Sequence, residues 1–411
     1  MWQSAAIAAI LLVGIPANAA DEWRKIDPAA IRTADPPQLE QLAHDFPYSS
    51  AVHLALLNAY LEADRKADAW REIEFLASRG YSFSAAGQTA LLALYDGDAR
   101  AKLAGLFVAD RGALEASALL ATVPAEALLV EGMAYDAKTG RLFASTIVSR
   151  ELYVRGADGA WTTVAMTDAG SLASMALDER RRTLWVATGT YDETPAPKRG
   201  VEGVFGIDLE TGDVFRKTAP EGATPSDIAL APDGGLYASD PLSGAIYYAP
   251  ADLWQMRSIV EPGTFRSPQG LVPWGGGVIV SDYGYGLAFV DETGKAWRID
   301  SVVPLLLDGI DGMWRYGDKI VAIQNGARPA RIIELSMSPD GSRVTAMREL
   351  ERAHAGWTEP TGGAIVGDNL IYVATGQWAA FGPAGALREG MSPRPTDLRT
   401  LPLLETPALP P

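Results

Sequence analysis

Two carboxylates open similar stretches of sequence that lie far apart in the chain. Glu131 opens "EGMAYDAKTGRLFAST", and Asp311 opens "DGMWRYGDKIVAIQN". In both stretches the carboxylate and a Gly-Met pair precede an aromatic-bearing run, a turn and a second apolar run. Two carboxylates that a fold brings together can bind a hard cation such as Ca²⁺, and one of them can exchange a proton. The repetition predicts that Glu131 and Asp311 occupy equivalent places in two copies of one structural unit.

The stretch that Glu131 opens is the first of six related stretches. The other five are "ASMALDERRRTLWVATG", "SDIALAPDGGLYASD", "QGLVPWGGGVIVSD", "DGMWRYGDKIVAIQN" and "TGGAIVGDNLIYVATG". Their third residues align as Met133, Met175, Ile228, Leu271, Met313 and Gly363, at intervals of 42, 53, 43, 42 and 50 residues. A fixed period of this length is the signature of a repeat architecture in which each repeat is one supersecondary unit.

The period and the number of strands per repeat predict the fold. Each stretch continues into a third short apolar run, such as "RELYV" or "GAIYYAP", and most continue into a fourth. Four strands per 40–50 residues form one blade of a β-propeller. A β-sandwich also has many short strands, but it does not repeat one turn-and-strand pattern six times. We therefore predict an all-β six-bladed β-propeller over 116–405, preceded by a small α-helical domain. Either "LRTLPLL" or "SALLATV" supplies its last outer strand, and the second choice closes the ring.

In a propeller, the innermost strand of each blade lines a central channel, so the residue just before that strand lies at one rim. These rim residues are Glu131, Ala173, Ser226, Gln269, Asp311 and Thr361. Five of the six offer oxygen, which suits a hard cation, whereas zinc would prefer the Cys and His ligands that this rim lacks. Two carboxylates without a cation would repel, and one would be protonated. Asp before a strand is also a common turn former, so a structural role for Asp311 or Asp227 is the alternative.

The motifs resemble those of a known family. The pattern Glu-Gly-x-x-aromatic-Asp, the later "PSDIALAPDGGLYASD" and the later Asp-Gly-Met resemble the SMP-30/gluconolactonase/strictosidine-synthase-like (NHL-like) six-bladed propellers. The resemblance implies one divalent cation, commonly Ca²⁺, held near the top of the channel by a Glu, an Asn and an Asp. Glu131 matches the Glu and Asp311 matches the Asp. The Asn position falls on Ser226, with Asp227 beside it, so the expected metal ligands are Glu131, Asp227 and Asp311.

The resemblance implies a hydrolase of a small lactone or ester. Asp311 and Glu131 would be its catalytic residues, and Ser226, Gln269 and Thr361 would face the substrate. The alternative is a non-catalytic binding or adaptor protein that uses the propeller and helical surfaces. A third alternative is a condensation of the strictosidine-synthase kind, with Glu131 as the acid. The chain contains neither a G-x-S-x-G motif nor a Walker loop.

The region over 21–115 has helical rather than strand periodicity. The stretches "AVHLALLNAYLEADRKADAWREIEFLASRG" and "SAAGQTALLALYDGDARAKLAGLF" have apolar residues three and four positions apart. Ser49 or Ser50 is the predicted cap of the second helix, and Gly80 the end of the third. The paired helices resemble a tetratricopeptide-type hairpin, which would suit a protein partner. A plain helical bundle packed on the propeller is the alternative.

The N-terminus and the charge predict the compartment and exclude some partners. Ala5 to Ile15 is an apolar run of signal-peptide length, and Ala17-Asn18-Ala19 is a cleavage pattern, so 1–20 is the predicted signal peptide. A core helix is the alternative for this run. We expect a periplasmic or secreted protein with a Pro-rich tail over 406–411. The net charge of -16 excludes nucleic acid as the main partner, and no later apolar run is long enough to span a membrane.

Overall fold

The computed structural model describes residues 21–107, 112–196 and 200–404. The predicted signal peptide over 1–20 and the tail over 406–411 lie outside the described residues. Within the described ranges, no helix combines the length and the apolar character that crossing a membrane requires.

Five α-helices precede the β-structure. They are α1 (Pro36–Asp45), α2 (Ser50–Glu62), α3 (Lys66–Ser78), α4 (Ala85–Leu92) and α5 (Gly97–Phe107). Ser49 caps α2, because its side chain accepts a hydrogen bond from the backbone N–H of Val52 at 3.1 Å. Gly80 follows α3 with a φ of 84°, a conformation that favours glycine. Helix α2 packs between α1 and α3, and the likeness of this bundle to tetratricopeptide units stays a prediction.

Six sheets follow, and each is one blade of a propeller. Blade 1 contains β2 (Val130–Asp136), β3 (Arg141–Thr146), β4 (Glu151–Arg155) and β5 (Trp161–Ala165). Blade 2 contains β6 (Ser171–Asp178), β7 (Thr183–Gly189), β8 (Gly203–Asp208) and β9 (Val214–Thr218). Blade 3 contains β10 (Ile228–Leu230), β11 (Leu236–Asp240), β12 (Ala245–Ala249) and β13 (Arg257–Val260).

Blade 4 has the same pattern, whereas blades 5 and 6 vary it. Blade 4 contains β14 (Pro268–Trp274), β15 (Gly277–Asp282), β16 (Gly286–Val290) and β17 (Ala296–Arg298). Blade 5 contains β19 (Met313–Tyr316), β20 (Lys319–Gln324), β21 (Arg331–Met337) and β22 (Arg343–Arg352), with the short β18 (Asp300–Ser301) parallel to β22. Blade 6 contains β23 (Gly363–Val366), β24 (Asn369–Val373), β25 (Thr396–Pro402) and β1 (Ala118–Val123). The predicted six-bladed fold is confirmed.

The ring closes by pairing the two ends of the propeller. Strand β25 is the third strand of blade 6, and β1 pairs with it as the fourth, in antiparallel register from Ala118 with Thr400 to Val123 with Thr396. Both segments that the sequence proposed for the last blade are therefore used. The closure hides the edges that an open sheet would expose. The buried carboxylate of Glu351 reinforces it by accepting hydrogen bonds from the hydroxyls of Ser117 and Tyr372.

Close approach of the innermost strands explains the glycine that follows several rim residues. A Cβ on Gly362 would lie 2.6 Å from the carbonyl oxygen of Glu131, and a Cβ on Gly270 would lie 2.9 Å from that of Asp311. The backbone N–H groups of the two glycines donate to these carbonyl oxygens, at 3.2 and 2.9 Å. Rim residues of neighbouring blades are thus joined through the backbone, and this joining holds their side chains at one end of the channel.

The helical region packs on the propeller at blades 4 and 5. The side chain of Asp308 accepts hydrogen bonds from the hydroxyl of Ser50 at 2.6 Å and from the backbone N–H of Ala51 at 3.2 Å. Phe46 packs edge-on against Tyr285, with ring centroids 4.8 Å apart. Asp308 therefore stabilises the positive N-terminal end of α2 while it anchors the helix to the β-structure.

A buried ion pair between blades 1 and 2 gives a prediction about stability. Both oxygens of Asp136 accept hydrogen bonds from the guanidinium of Arg182, at 2.9 and 2.6 Å, and these bonds hold the Asp136 pKa below its usual range. We expect Asp136→Asn to lower the free energy of unfolding at pH 7 by about 3 kcal/mol, because Arg182 stays buried without its charge partner. Urea denaturation measures this loss, and the exposed Asp318→Asn is the control.

The same ion pair predicts a pH dependence with a definite sign. Because the folded-state pKa of Asp136 is depressed, its contribution is complete above the unfolded-state pKa of about 4 and is lost as the pH falls. The stability difference between wild type and Asp136→Asn should therefore shrink below about pH 4. A difference that grows on acidification would contradict this account.

Candidate functional site

The structure brings the three predicted metal ligands to one end of the channel. Glu131 lies in β2, Asp311 lies two residues before the innermost strand of blade 5, and Asp227 immediately precedes that of blade 3. All three side chains are half-buried, because they face the channel but are otherwise surrounded by protein. Asp227 also lines a small cavity of about 20 Å³ between the innermost strands, with room for about one water.

The channel is asymmetric along its axis. Beyond the small cavity it widens into a funnel of about 1070 Å³, which is lined by the far ends of the innermost strands, including Tyr135 and Val366. The carboxylates stand at the opposite end. The small cavity of about 20 Å³ lies between that end and the funnel.

Burial raises the pKa values of all three carboxylates, and neighbouring negative charges raise two of them further. Burial raises the Glu131 pKa well above its usual range, and the charges of Asp311 and Asp227 add to this effect. Burial and the charge of Asp227 raise the Asp311 pKa to about 7. Burial raises the Asp227 pKa to about 6. Loss of hydration and repulsion between like charges therefore both disfavour the fully ionised set.

A fourth carboxylate, which the sequence interpretation missed, belongs to the same group. Glu359 is half-buried, its pKa is raised by burial, and its charge raises the pKa values of Glu131 and Asp311. Glu359 lies two positions before the rim residue Thr361, in "EPTGG". This closeness to the rim is the sequence signal that could have identified Glu359. The repeat alignment missed it because it compares one residue per blade.

Among the described residues, no positive side chain forms an ion pair with this group. Within the described ranges, none of the four carboxylates has a Lys, Arg or His nitrogen within 4 Å. The described residues also contain no three Asp, Glu or His side chains that converge closely enough to hold a metal ion as they stand. The site is thus a half-buried group of carboxylates whose short contacts with other described side chains are with neutral donors.

Neutral donors orient Glu131. The indole N–H of Trp378 donates to the Glu131 carboxylate at 2.6 Å, and the hydroxyl of Thr361 donates to the Glu131 backbone carbonyl at 3.1 Å. Trp378 begins a single 3₁₀ turn in the long connection between β24 and β25. This connection therefore brings an aromatic donor over the rim of blade 1.

A second set of donors orients Asp311 and Asp227. The amide nitrogen of Asn325 donates to Asp311 at 2.6 Å and to the carbonyl of Pro360 at 3.0 Å, while the hydroxyl of Tyr283 donates to the Asn325 amide oxygen at 2.9 Å. The side chain of Ser174 lowers the Asp227 pKa through a hydrogen bond. These hydrogen bonds lower the pKa values of Asp311 and Asp227, but burial raises them by more, so both remain above their usual range.

Asn325 was also missed at the sequence level, although the hairpin pattern contains a signal for it. It follows directly after β20, the strand that pairs with the innermost strand of blade 5. The backbone N–H of Asp311 donates to the carbonyl of Ile323 at 2.9 Å, so Asn325 lies two residues beyond the partner of Asp311. Extending the hairpin pairing past the strand end would have placed Asn325 beside the rim.

The remaining predicted residues line the rim. Ser226 and Gln269 are half-buried, Ala173 and Thr361 are buried, and the Gln269 side chain donates to the hydroxyl of Ser267 at 3.2 Å. The carbonyl oxygen of Ser226 accepts from the backbone N–H of Ser174 at 3.1 Å. The structure places these groups at the same end of the channel as the carboxylates, and their contact with a substrate stays a prediction.

Comparisons with known proteins add little at the level of sequence. No protein-family model matches the chain, and comparison with curated proteins also finds no match. Among solved structures, a putative gluconolactonase is similar at 17% identity, over 71% of this chain and 93% of that chain, with a TM-score of 0.46. The calcium-binding protein regucalcin from Agrobacterium tumefaciens is similar at 19% identity, over 69% and 93% of the two chains, with a TM-score of 0.45.

The structure of a lyase resembles this chain with a similar TM-score. Virginiamycin B lyase from Staphylococcus aureus shares 13% identity, over 69% of this chain and 99% of that chain, with a TM-score of 0.45. Because identities and scores this low carry no argument about activity, the six-bladed fold rests on the strand order described above.

The contact between Asn325 and Asp311 gives a prediction about ionisation. We expect Asn325→Ala to raise the Asp311 pKa by about 1 above its value of about 7, because the ionised carboxylate loses a donor. Carbon-13 NMR of labelled Asp carboxyl groups measures this pKa, and Asp311→Asn assigns the signal. Asn58→Ala, in an exposed position of α2, is the control. An Asp311 pKa that is unchanged or lowered in Asn325→Ala would show that the amide does not stabilise the charge.

Proposed function

We propose that this protein is a metal-dependent hydrolase of a small lactone or ester, with a divalent cation, most simply Ca²⁺, held by Glu131, Asp227 and Asp311. The observation that carries the proposal is the half-buried group of carboxylates, which repel one another and have no positive partner among the described residues. Structural carboxylates at such depth are normally paired with a charge or with a cation. The motif resemblance of Glu131 and Asp311 to the gluconolactonase-type propellers supports the same conclusion.

The donor set fits a hard cation. The group offers carboxylate oxygens, with the hydroxyl of Ser174 and the amide of Asn325 beside them, and the chain contains no Cys. Oxygen ligands of this kind suit Ca²⁺ or Mg²⁺ rather than zinc. Since the carboxylates do not converge on one point as they stand, the proposal includes rotation of their side chains toward the ion.

The chain's own residues have separate roles in the proposed reaction. A bound divalent cation would polarise a carbonyl group and lower the pKa of a water molecule. Asp311 is proposed as a ligand of the cation and as the acceptor of a proton from the attacking water, and Asn325 fixes the direction of its carboxylate. Trp378 fixes Glu131. Ser226, Gln269 and Thr361 are proposed to contact the substrate from the same rim.

The proposal includes the compartment. The apolar N-terminal run and its Ala-x-Ala pattern support export to the periplasm or the outside of the cell. The alternative function is a binding or adaptor protein that presents the propeller and the helical surface to a protein partner. The two functions differ in whether the carboxylate group binds a cation and turns over a substrate.

Cation binding is tested by calorimetry with Ca²⁺. We expect wild type to bind one Ca²⁺, and Glu131→Gln, Asp227→Asn and Asp311→Asn each to weaken binding by at least about tenfold, because each loses a charged ligand. The exposed Glu221→Gln is the matched control and should bind as wild type does. Trp378 fluorescence provides a second readout at the site. Equal binding by wild type and the three variants would exclude the rim as the cation site.

Activity is tested with a panel of small lactones and esters in the presence of Ca²⁺, Mg²⁺, Mn²⁺ or Zn²⁺. We expect hydrolysis that requires the cation and falls at least about 100-fold in Asp311→Asn, whereas Glu221→Gln retains it. The absence of turnover with every cation, together with a partner captured through the helical region, would favour the adaptor function instead.

A further inference from the structure

A second cavity lies away from the channel, between the helical region and blade 5. It has a volume of about 660 Å³. The segment that joins α3 to α4, including Arg79 and Tyr81, forms one wall. The connection from β20 to β21, at Arg328, forms the opposite wall together with residues of β21 and β22. The volume is that of a typical small-molecule pocket, and a junction between two structural units is a common place for one.

The charge of this pocket is opposite to that of the whole chain. The protein carries a net charge of -16, yet four arginines and no Asp or Glu are among the described residues that line the pocket. Arg331 and Arg352 share the buried carboxylate of Glu349. Arg79 and Arg328 have no carboxylate within 4 Å among the described residues. Among the described residues, positive charges therefore outnumber negative ones at this pocket.

Arg79 is held in place without being neutralised. Its guanidinium lies 3.5 Å from the centre of the Phe75 ring and donates to the Phe75 carbonyl at 3.3 Å. Its Nε atom is buried and has no hydrogen-bond partner, and burial lowers the Arg79 pKa. The charge of Glu72 raises the Arg79 pKa, but the Glu72 carboxylate is hydrogen-bonded to Nδ1 of His53 at 2.6 Å. The guanidinium is therefore positioned by packing and by neutral acceptors, and its charge is not balanced by an ion pair among the described residues.

Arg328 is not needed to join the two units. Its side chain is exposed, and the link to the helical region runs through the backbone, where the N–H of Ser82 donates to the Arg328 carbonyl at 2.9 Å. The charge of Arg328 also lowers the pKa of Tyr81, which burial raises. The guanidinium thus stands beside a phenol on the pocket wall and remains available to a ligand.

The rest of the wall is suited to an apolar body. Tyr81 packs edge-on against Phe83, with centroids 5.0 Å apart, and Phe83 packs against Phe107 at 5.5 Å. Leu106 and Met347 add aliphatic surface. Ser84, the cap of α4, also lines the pocket, so the positive end of that helix adjoins it. Aromatic walls with a few convergent polar groups are typical of sites for small organic ligands.

We propose that this pocket binds a small organic anion, whose carboxylate or phosphate group pairs with Arg79 and Arg328 and whose apolar body lies against Tyr81, Phe83 and Phe107. Arginine recognises both kinds of acidic group through charge-assisted hydrogen bonds. The negative charge of the remaining surface opposes this binding only weakly, because exposed charges beyond about 8 Å are screened at physiological ionic strength. The site is separate from the carboxylate rim and independent of the proposed hydrolase.

The proposal is tested by calorimetry in metal-free buffer of physiological ionic strength with phenyl phosphate, phenylacetate and the neutral benzyl alcohol. We expect at least one of the two anions to bind, with an affinity that falls as NaCl is added, and benzyl alcohol not to bind. Tighter binding of phenyl phosphate would indicate that the natural ligand is a phosphate ester, and tighter binding of phenylacetate would indicate a carboxylic acid. Equal binding of benzyl alcohol would overturn the proposal, because the arginines would then contribute nothing.

Single-residue variants test whether the anion binds in this pocket or elsewhere on the surface. Arg328→Gln should weaken anion binding by about tenfold or more, and Arg79→Gln should do the same. Because Arg79 packs on Phe75, the exposed Arg328 gives the decisive variant, whose folding is not at risk. Arg257→Gln, in an exposed position of β13, is the matched control and should bind as wild type does. The absence of anion binding in wild type, or unchanged binding in Arg328→Gln, would refute the proposal.

Discussion

Repulsion between carboxylates that the closed ring holds together is the interaction on which this account depends. Glu131, Asp227 and Asp311 come from blades 1, 3 and 5, so only closure of the propeller brings them to one rim. Burial raises all three pKa values, and the negative charges of neighbouring carboxylates raise those of Glu131 and Asp311 further. A fold retains such a group against its cost when a charged ligand or a proton-transfer step uses it.

The remainder of the structure keeps these side chains in place. Backbone hydrogen bonds between neighbouring innermost strands fix the rim, and glycines such as Gly362 allow the strands to approach that closely. Trp378 and Asn325 then orient individual carboxylates from connections outside the innermost strands. Pairing of β1 with β25 holds the ring closed. The stability of the propeller and the geometry of the site therefore have a common origin in the packing of the innermost strands.

Much of this arrangement could be predicted from the sequence, because a repeated pattern defines equivalent positions. The six blades, and the placing of Glu131 and Asp311 at one rim, follow from the periodic turns and strands. Glu359 and Asn325 were missed because they lie outside the one position per blade that the alignment compares. The pocket between Arg79 and Arg328 was also beyond prediction, since helical periodicity indicates which face is apolar but not where the bundle docks.

A crystal structure of the protein grown with Ca²⁺ or the more strongly scattering Mn²⁺ tests the central claim most directly. The account predicts one anomalous difference peak at the rim, with oxygen atoms of Glu131, Asp227 and Asp311 within coordinating distance of it and their side chains rotated toward the ion. A rim without a peak at saturating cation, or a peak bound by other residues, would contradict the claim that these carboxylates are held together to bind a cation.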